Sequence, residues 1–261
     1  MANNVQSLER ALAIIEQLAH SREGLGISRM SRDLTLPPST VHRLLNTLVR
    51  QGYVTQVAGQ RYRLSTKFAG ICRGLQEDSE LRQVVRPHLE NISRQTQETA
   101  NLVIRDAYEA VYIDKVDSPK FLRVFSRIGH RAPLYCTAVG KILLADMEAG
   151  ELDRYLDHVE FTAFTRNTII SSDALRNEIV TVSMQGYGLD LEECELGAQC
   201  VAVGVKGREG RVVAAISVSG PVVRFDRNSM NQALQVLRDA STKISWELGY
   251  KRSLGQAAVL D

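Results

Sequence analysis

The sequence predicts an α+β protein built in two parts, a winged helix-turn-helix followed by a larger mixed domain. Three observations carry that reading. Residues up to about 66 read as three short helices and a basic hairpin. From residue 99 the pattern changes to strand-like runs separated by helices. The charge is also split: residues 1–70 hold nine Lys or Arg against four acids, and the remainder holds 23 against 26, within a chain of formal charge +2. A small basic module joined to a mildly acidic larger one points the first part at a polyanion.

In the first module, Leu8, Leu12, Ile15 and Leu18, with Ala11 and Ala19, define an amphipathic helix. "GLGISRMSRDL" gives a turn, then a short helix with Ser28 as its N-cap and Met30 and Leu34 facing inward. Pro37 and Pro38 open the third helix, where a proline loses no hydrogen bond because the first helical N–H has no partner. "YVTQV", a two-residue turn at Ala58-Gly59 and "QRYRLS" complete a hairpin.

The third helix explains why polar residues share a segment with a row of leucines. At 100° per residue, Val41, Leu44, Leu45 and Leu48 fall on one face, and Ser39, Arg43, Asn46 and Arg50 on the other, flanked by Thr40, His42 and Thr47. The polar face holds two arginines and no acid. A recognition helix needs this division: an apolar seam for the module's core and hydrogen-bonding groups for the major groove. Arg43 suits a bidentate contact to guanine, His42, Asn46 and Ser39 suit base edges, and Thr40 and Thr47 suit phosphate oxygens. On the wing, alternation puts Arg61 and Arg63 on one face and Tyr62 and Leu64 on the other. The bland alternative for each residue is a solvated surface position; the joint pattern of helices, acid-free face and basic hairpin favours double-stranded DNA.

"STKFAGICRGLQEDSELRQVVRPHLENISRQTQ" reads as a helix, a break near Pro87 and a second helix, with Phe68, Ile71, Cys72 and Leu75 as an apolar stripe suited to a partner chain. The expected boundaries are a DNA-binding domain at 1–66, a linker helix at 67–84, an effector domain at 85–251 and a tail at 252–261. Within the third part, "TANLVIRD", "AVYIDKVD", "LRVFSRI", "CVAVGVKG" and "RVVAAISVSG" are strand-like. "TAVGKILLADM", "SDALRNEIVTVSMQGYG" and a terminal stretch from about Asp226 to Leu248 are helical.

Strand alternation also locates a pocket. Ala214, Ile216 and Val218 point one way and Ala215, Ser217 and Ser219 the other; Val201, Val203 and Val205 oppose Cys200, Ala202 and Gly204. A face of small and hydroxyl-bearing residues leaves room and supplies donors. Thr137 can cap a helix whose first amides, at Ala138 and Val139, would meet a carboxylate. Asp190 could accept hydrogen bonds from hydroxyls of a polyol or hydroxy acid, or merely cap a turn.

"SLERALAIIEQLA", "STVHRLLNTLVRQGYV" and "YRLS" resemble the N-terminal domain of IclR-type (isocitrate-lyase regulator-type) bacterial transcription factors, and the resemblance runs through nearly the whole chain. It departs where the family often has Gly at Thr35 and Lys at Pro38, the second of these removing a phosphate contact. The resemblance implies a GAF-like effector-binding domain, homodimers often assembled to tetramers, and, for a two-fold dimer, a palindromic operator. It implies ligand contacts at the Ala138 and Val139 amides, Asp190, Cys200, Ser217 and Ser219, with Phe121, Val124, Ala132 and Ala198 as variable apolar lining. "LRVFSRIGHRAPLYCTAVGK" looks closest to regulators of sugar-acid catabolism, such as the 2-keto-3-deoxygluconate type; aromatic and glyoxylate-like acids stay open.

Two other classes compete. An enzyme could use Cys200 as nucleophile, or Asp190, Glu192, Glu193 and Glu195 as metal ligands or acid and base. Against it, His130 and His158 sit in no triad context, and no HExxH, phosphate-loop or dinucleotide signature occurs. A ligand-independent DNA-bridging protein would leave most of the chain without a task. The four cysteines, Cys72, Cys136, Cys194 and Cys200, form no CxxC pair, so neither a zinc cage nor a disulfide framework is expected. No cofactor or metal is expected. Without a signal-peptide pattern or a long apolar run, the expected setting is the cytoplasm, with no membrane partner. The sequence-based reading is a ligand-responsive transcriptional regulator, a repressor by preference, and no enzyme.

Overall fold

The computed structural model describes residues 5–21, 23–68 and 76–251. Packing divides the chain into two units, residues 1–76 and 77–261. The linker positions Ile71, Cys72 and Leu75 and the tail at 252–261 lie outside the described residues. No described helix is long and apolar enough to cross a membrane.

The first unit consists of α1 (Gln6–Ala19), β1 (Leu25–Gly26), α2 (Ile27–Asp33), α3 (Pro38–Arg50), β2 (Val54–Val57) and β3 (Arg61–Leu64). Its core gathers Ile14, Leu18, Leu25, Met30, Val41, Leu45, Leu48, Val54 and Tyr62. The short β1 joins the hairpin as a third strand, in the order β1-β3-β2. Three expectations are corrected. The seam of α1 is centred on Ile14 and Leu18, while Leu8 and Leu12 are 58% and 49% exposed, because Ile14 closes the stripe from the other side. Gly26, not Ser28, is the N-cap of α2, since β1 carries the chain directly into the helix. The wing turn spans three residues, Ala58–Gln60, because Val57 pairs with Arg61, and both Gly59 and Gln60 take positive φ.

The second unit begins with α4 (Gln76–Thr96) and continues through β4 (Thr99–Asp106), β5 (Glu109–Val116), β6 (Arg131–Pro133), α5 (Ala138–Ala145), α6 (Ala149–His158), α7 (Ser172–Gln185), β7 (Gly188–Leu191), β8 (Ala198–Lys206), β9 (Val212–Pro221) and α8 (Arg227–Glu247). The six strands form one antiparallel sheet, ordered β6-β5-β4-β9-β8-β7. One face packs Val201, Val203, Val205, Ala214, Ile216 and Val218 against α4 and α8. The other packs Val103, Ala202 and Ala215 against α5, α6 and α7. Helices therefore cover both sides of the sheet, an α+β sandwich of three layers.

Two sequence expectations fail here. The helix does not break at Pro87: α4 runs through it. Val85, Leu89 and Ile92 are fully buried on one side, and their packing outweighs a cost of about 3 kcal/mol for an interior proline. Pro87 itself sits on the exposed side. Nor is "LRVFSRI" a strand. Part of the edge of β5 is taken by β6, and Leu122, Phe125 and Ile128 stay exposed. That segment is tied down instead by side chains, Lys115 Nζ to the Ser126 carbonyl at 2.6 Å and Thr99 Oγ1 to the Val124 carbonyl at 3.3 Å. By contrast the terminal helix is capped at Asp226, whose carboxylate accepts the Ser229 N–H at 2.9 Å, and ends at Leu248.

Candidate DNA-binding face and effector pocket

On α3, Val41, Leu45 and Leu48 are buried, while Ser39, His42, Arg43, Asn46, Thr47 and Arg50 are exposed and Thr40 is half-buried. The polar face is partly pre-ordered. Thr47 Oγ1 donates to the Arg43 carbonyl at 3.1 Å, and Asn46 Nδ2 lies 3.5 Å from His42 Nδ1. Among the described residues Arg43, Arg50 and Arg63 have no ion-pair partner, whereas Arg61 pairs with exposed Glu23 at 3.2 Å. On the wing Arg61 and Arg63 face solvent and Tyr62 the core. Thr35, where the resembling family often has a helix-ending glycine, holds φ +53° just after the Leu34 C-cap of α2. The strained residue thus occupies the tight turn between the two helices of the motif.

In the second unit the sheet register assembles the candidate effector face row by row. Asp190 pairs with Cys200, Cys200 with Ser219, and Ser219 with Thr99. The next row is Gly188, Ala202, Ser217 and Asn101; the third is Gly204, Ala215, Val103 and Tyr112. Directly opposed residues project to the same face, so all of these point toward α5.

At the head of α5, Thr137 Oγ1 accepts the Gly140 N–H at 3.1 Å and the Thr137 carbonyl accepts the Lys141 N–H at 3.0 Å. The Ala138 and Val139 amides precede both and lie in the first turn, where the helix dipole favours an anion. Gly188 lets this turn approach the sheet: a Cβ there would stand 2.4 Å from the Ala138 carbonyl oxygen. One turn on, the buried Lys141 ammonium binds Glu193 at 2.6 Å, Glu178 at 3.2 Å and the Leu189 carbonyl at 2.9 Å. It fastens α5 to the turn that follows β7.

Asp190 lies on β7, one residue before that turn, and its carboxylate reaches into it. Its Oδ1 accepts the Glu193 N–H at 2.7 Å and the Cys194 N–H at 3.4 Å. Burial pushes its carboxyl up to about 7, a rise limited by those amides and by Lys141 and reinforced by Glu193. Cys200 is raised well above an ordinary thiol, by burial first and by Asp190 second; its Sγ donates to Ser219 Oγ at 3.0 Å. Ser217 and Ser219 are buried, and both accept from Asn101 Nδ2, at 3.3 and 3.2 Å.

Val124 and Ala198 are half-buried and Ala132 is buried, but Phe121 is fully exposed and lines nothing in this unit. Asn101 and Tyr112 were missed by the sequence reading. Asn101 directly precedes the apolar run Leu102–Ile104 of β4, and only the pairing with Ser217 gives it meaning. Burial first, then nearby Cys200, Cys194, Asp190 and Cys136, makes the Tyr112 hydroxyl much less acidic than an ordinary phenol. Its ring packs on His130 at 5.8 Å between centroids. No group of three or more His, Cys, Asp or Glu side chains among the described residues is arranged to hold a metal.

Comparison with known proteins agrees with both units. Residues 7–58 match the IclR helix-turn-helix domain, and residues 75–246 match the family described as bacterial transcriptional regulator IclR C-terminal. The chain is 37% identical over 249 residues to the HTH-type transcriptional regulator KdgR of Escherichia coli K12, covering 95% of this chain and 94% of that protein. The crystal structure of Thermotoga maritima IclR superposes with a TM-score of 0.80 at 30% identity, over 95% of this chain and 100% of that one. The same fold recurs, at 24% identity and a TM-score of 0.79, in an IclR homolog of Microbacterium hydrocarbonoxydans solved in complex with 4-hydroxybenzoate, over 93% of this chain and 98% of that one. A winged helix-turn-helix with an acid-free recognition face, an effector domain of the matching fold and these relatives together show that the chain belongs to the IclR family of bacterial transcriptional regulators.

Proposed function

We propose that this regulator is a repressor whose hold on a two-fold symmetric operator is set by a small carboxylate bound between α5 and the sheet. One observation carries the reading: the first-turn amides of α5 and the side chains of Asp190, Cys200, Ser217 and Ser219 converge on one face of the effector unit. The carboxylate would take the Ala138 and Val139 amides, and its chain would run along the serines, Cys200 and Asp190, with Val124, Ala132 and Ala198 as apolar lining. Because Asp190, Ser217 and Ser219 are at most 6% exposed, entry would go past the segment around Val124 and Ser126. Similarity to KdgR, together with the resemblance to sugar-acid regulators, supports a sugar acid.

Ser39, His42, Arg43 and Asn46 would face bases, and Thr40, Thr47, Arg50, Arg61 and Arg63 the backbone. The exposed stripe of Val5, at the N-cap of α1, with Leu8 and Leu12 supports a homodimer, and with it a palindromic site. Binding, not catalysis, suits the chemistry. Cys200 is held as a thiol, the opposite of an activated nucleophile. His130 packs on Tyr112, and the His158 ring contacts the Arg154 carbonyl.

Fluorescence anisotropy on DNA from upstream of the protein's own gene and its neighbours, against scrambled DNA at fixed salt, tests this. A panel of sugar acids, 2-oxo acids and aromatic acids is added. The expected result is sequence-specific binding that one acid releases and that Asp190→Ala makes unresponsive. No preference over scrambled DNA, or equal response of the variant, overturns it.

A further inference from the structure

Asn101 has an unusual position: 1% exposed, between buried Ala100 and Leu102 on β4, with every polar atom of its side chain engaged. Its Nδ2 reaches Ser217 Oγ at 3.3 Å and Ser219 Oγ at 3.2 Å, and its Oδ1 accepts from Ser126 Oγ at 2.8 Å. An amide nitrogen has two hydrogens, so one goes to each serine. Ser219 Oγ also accepts from Cys200 Sγ at 3.0 Å. A hydroxyl that accepts on this side has to direct its own hydrogen elsewhere, and what remains open to these serines is the α5 side of the sheet.

We infer that Asn101 is a positioning residue that fixes the hydrogen-bond polarity of the pocket, turning the Ser217 and Ser219 hydroxyls into donors aimed at the effector. This rests on the acid-receptor reading above and deepens it. With amides donating at the head of α5 and two hydroxyls donating from β9, the pocket recognises a molecule that offers acceptors at both places. A 2-oxo acid does so through its carboxylate and carbonyl oxygens. Its 2-hydroxy counterpart carries a hydrogen where the site already supplies one, and a 2-amino acid carries three.

The polarity can be reversed at constant shape. In Asn101→Asp the carboxylate accepts from both serines, which then offer lone pairs to the ligand. Calorimetric titration of the full-length protein with pyruvate against L-lactate, and 2-ketogluconate against gluconate, reads the effect as a ratio of affinities within each pair. The wild type is expected to prefer the oxo member, and Asn101→Asp to lose about tenfold of that preference, the scale of one to two net hydrogen bonds. Both members of a pair carry the same charge, so repulsion by the new carboxylate cancels in the ratio, as does any general loosening.

If the buried aspartate prevents folding, as a thermal melt would show, Asn101→Ala replaces it; it frees the hydroxyls to rotate and should also collapse the ratio. An unchanged ratio in a folded variant overturns the role of Asn101 and leaves the acid receptor standing. Failure of the wild type to bind any acid in either pair or in the wider panel overturns both.

Discussion

Lys141 and Glu193 form a 2.6 Å ion pair with side chains only 2% and 9% exposed. A buried ammonium is tolerated because two carboxylates and a carbonyl surround it, and the pair binds α5 to the turn that follows Asp190 and β7. Removing one partner strands the other in a poorly solvated site. Lys141→Met is expected to destabilise the effector unit by about 3 kcal/mol, measured by urea denaturation, and to weaken effector binding with it. Loss of under 1 kcal/mol would mean the pair adds little.

The raised carboxyl of Asp190 gives binding a pH dependence. Below about 7 the group is neutral and can donate to an acid; above it, the anion repels one. Affinity for a carboxylate effector should fall as pH rises through 7, by up to tenfold per unit, and Asp190→Asn should flatten the profile. The effect on folding has the same sign. The raised folded pKa contributes stability that is fully present below the unfolded value and is lost as pH climbs toward 7.

Gly188 permits a close approach that no other residue allows, since a Cβ would meet the Ala138 oxygen at 2.4 Å. Gly188→Ala pushes the first turn of α5 off the sheet. The expected outcome is a loss of acid binding of at least tenfold with DNA binding retained, read by titration and anisotropy on one preparation.

Thr35 is a β-branched residue at φ +53°. Glycine there removes a strain of about 1–2 kcal/mol, partly offset by the greater freedom of glycine in the unfolded chain. Thr35→Gly is expected to stabilise the DNA-binding unit by about 1 kcal/mol, seen as a higher thermal midpoint of the isolated transition.

In the proposed docking, Arg43 reads bases and Arg63 contacts phosphate. Arg43→Ala should reduce discrimination between operator and scrambled DNA by about 1–3 kcal/mol. Arg63→Ala should weaken both equally and lower the salt slope by about one. A changed salt slope with intact discrimination for Arg43→Ala would move that residue to the backbone.

Much of this was legible in the residues themselves. Period 3.6 in α3 separates Val41, Leu45 and Leu48 from Arg43 and Asn46, and period two in β8 and β9 separates the core valines from Cys200, Ser217 and Ser219. The Asp226 cap marked the start of α8. Errors arose where a local signal met a tertiary competitor. Pro87 signals a break, but Val85, Leu89 and Ile92 hold the helix against the sheet. Leu122, Phe125 and Ile128 look buried by composition, yet stay exposed in a segment tethered by Lys115 and Thr99. Asn101 joins the candidate effector face through pairing with Ser217, more than a hundred residues away, and Tyr112 through a bulge between Leu102 and Val103 that shifts the local register; strand alternation alone shows neither.

The alternation of β8 and β9 has a consequence for how such a regulator changes its vocabulary. Val201, Val203, Ile216 and Val218 maintain the fold from one side of each strand, while Cys200, Ser217 and Ser219 face the other way on the same strands. If the proposed effector contacts hold, recognition and folding are written on opposite sides of one ribbon. Substitutions can retune the chemical signal the protein listens for while the scaffold goes on folding as before, which makes this sheet a natural place to build sensors for new metabolites.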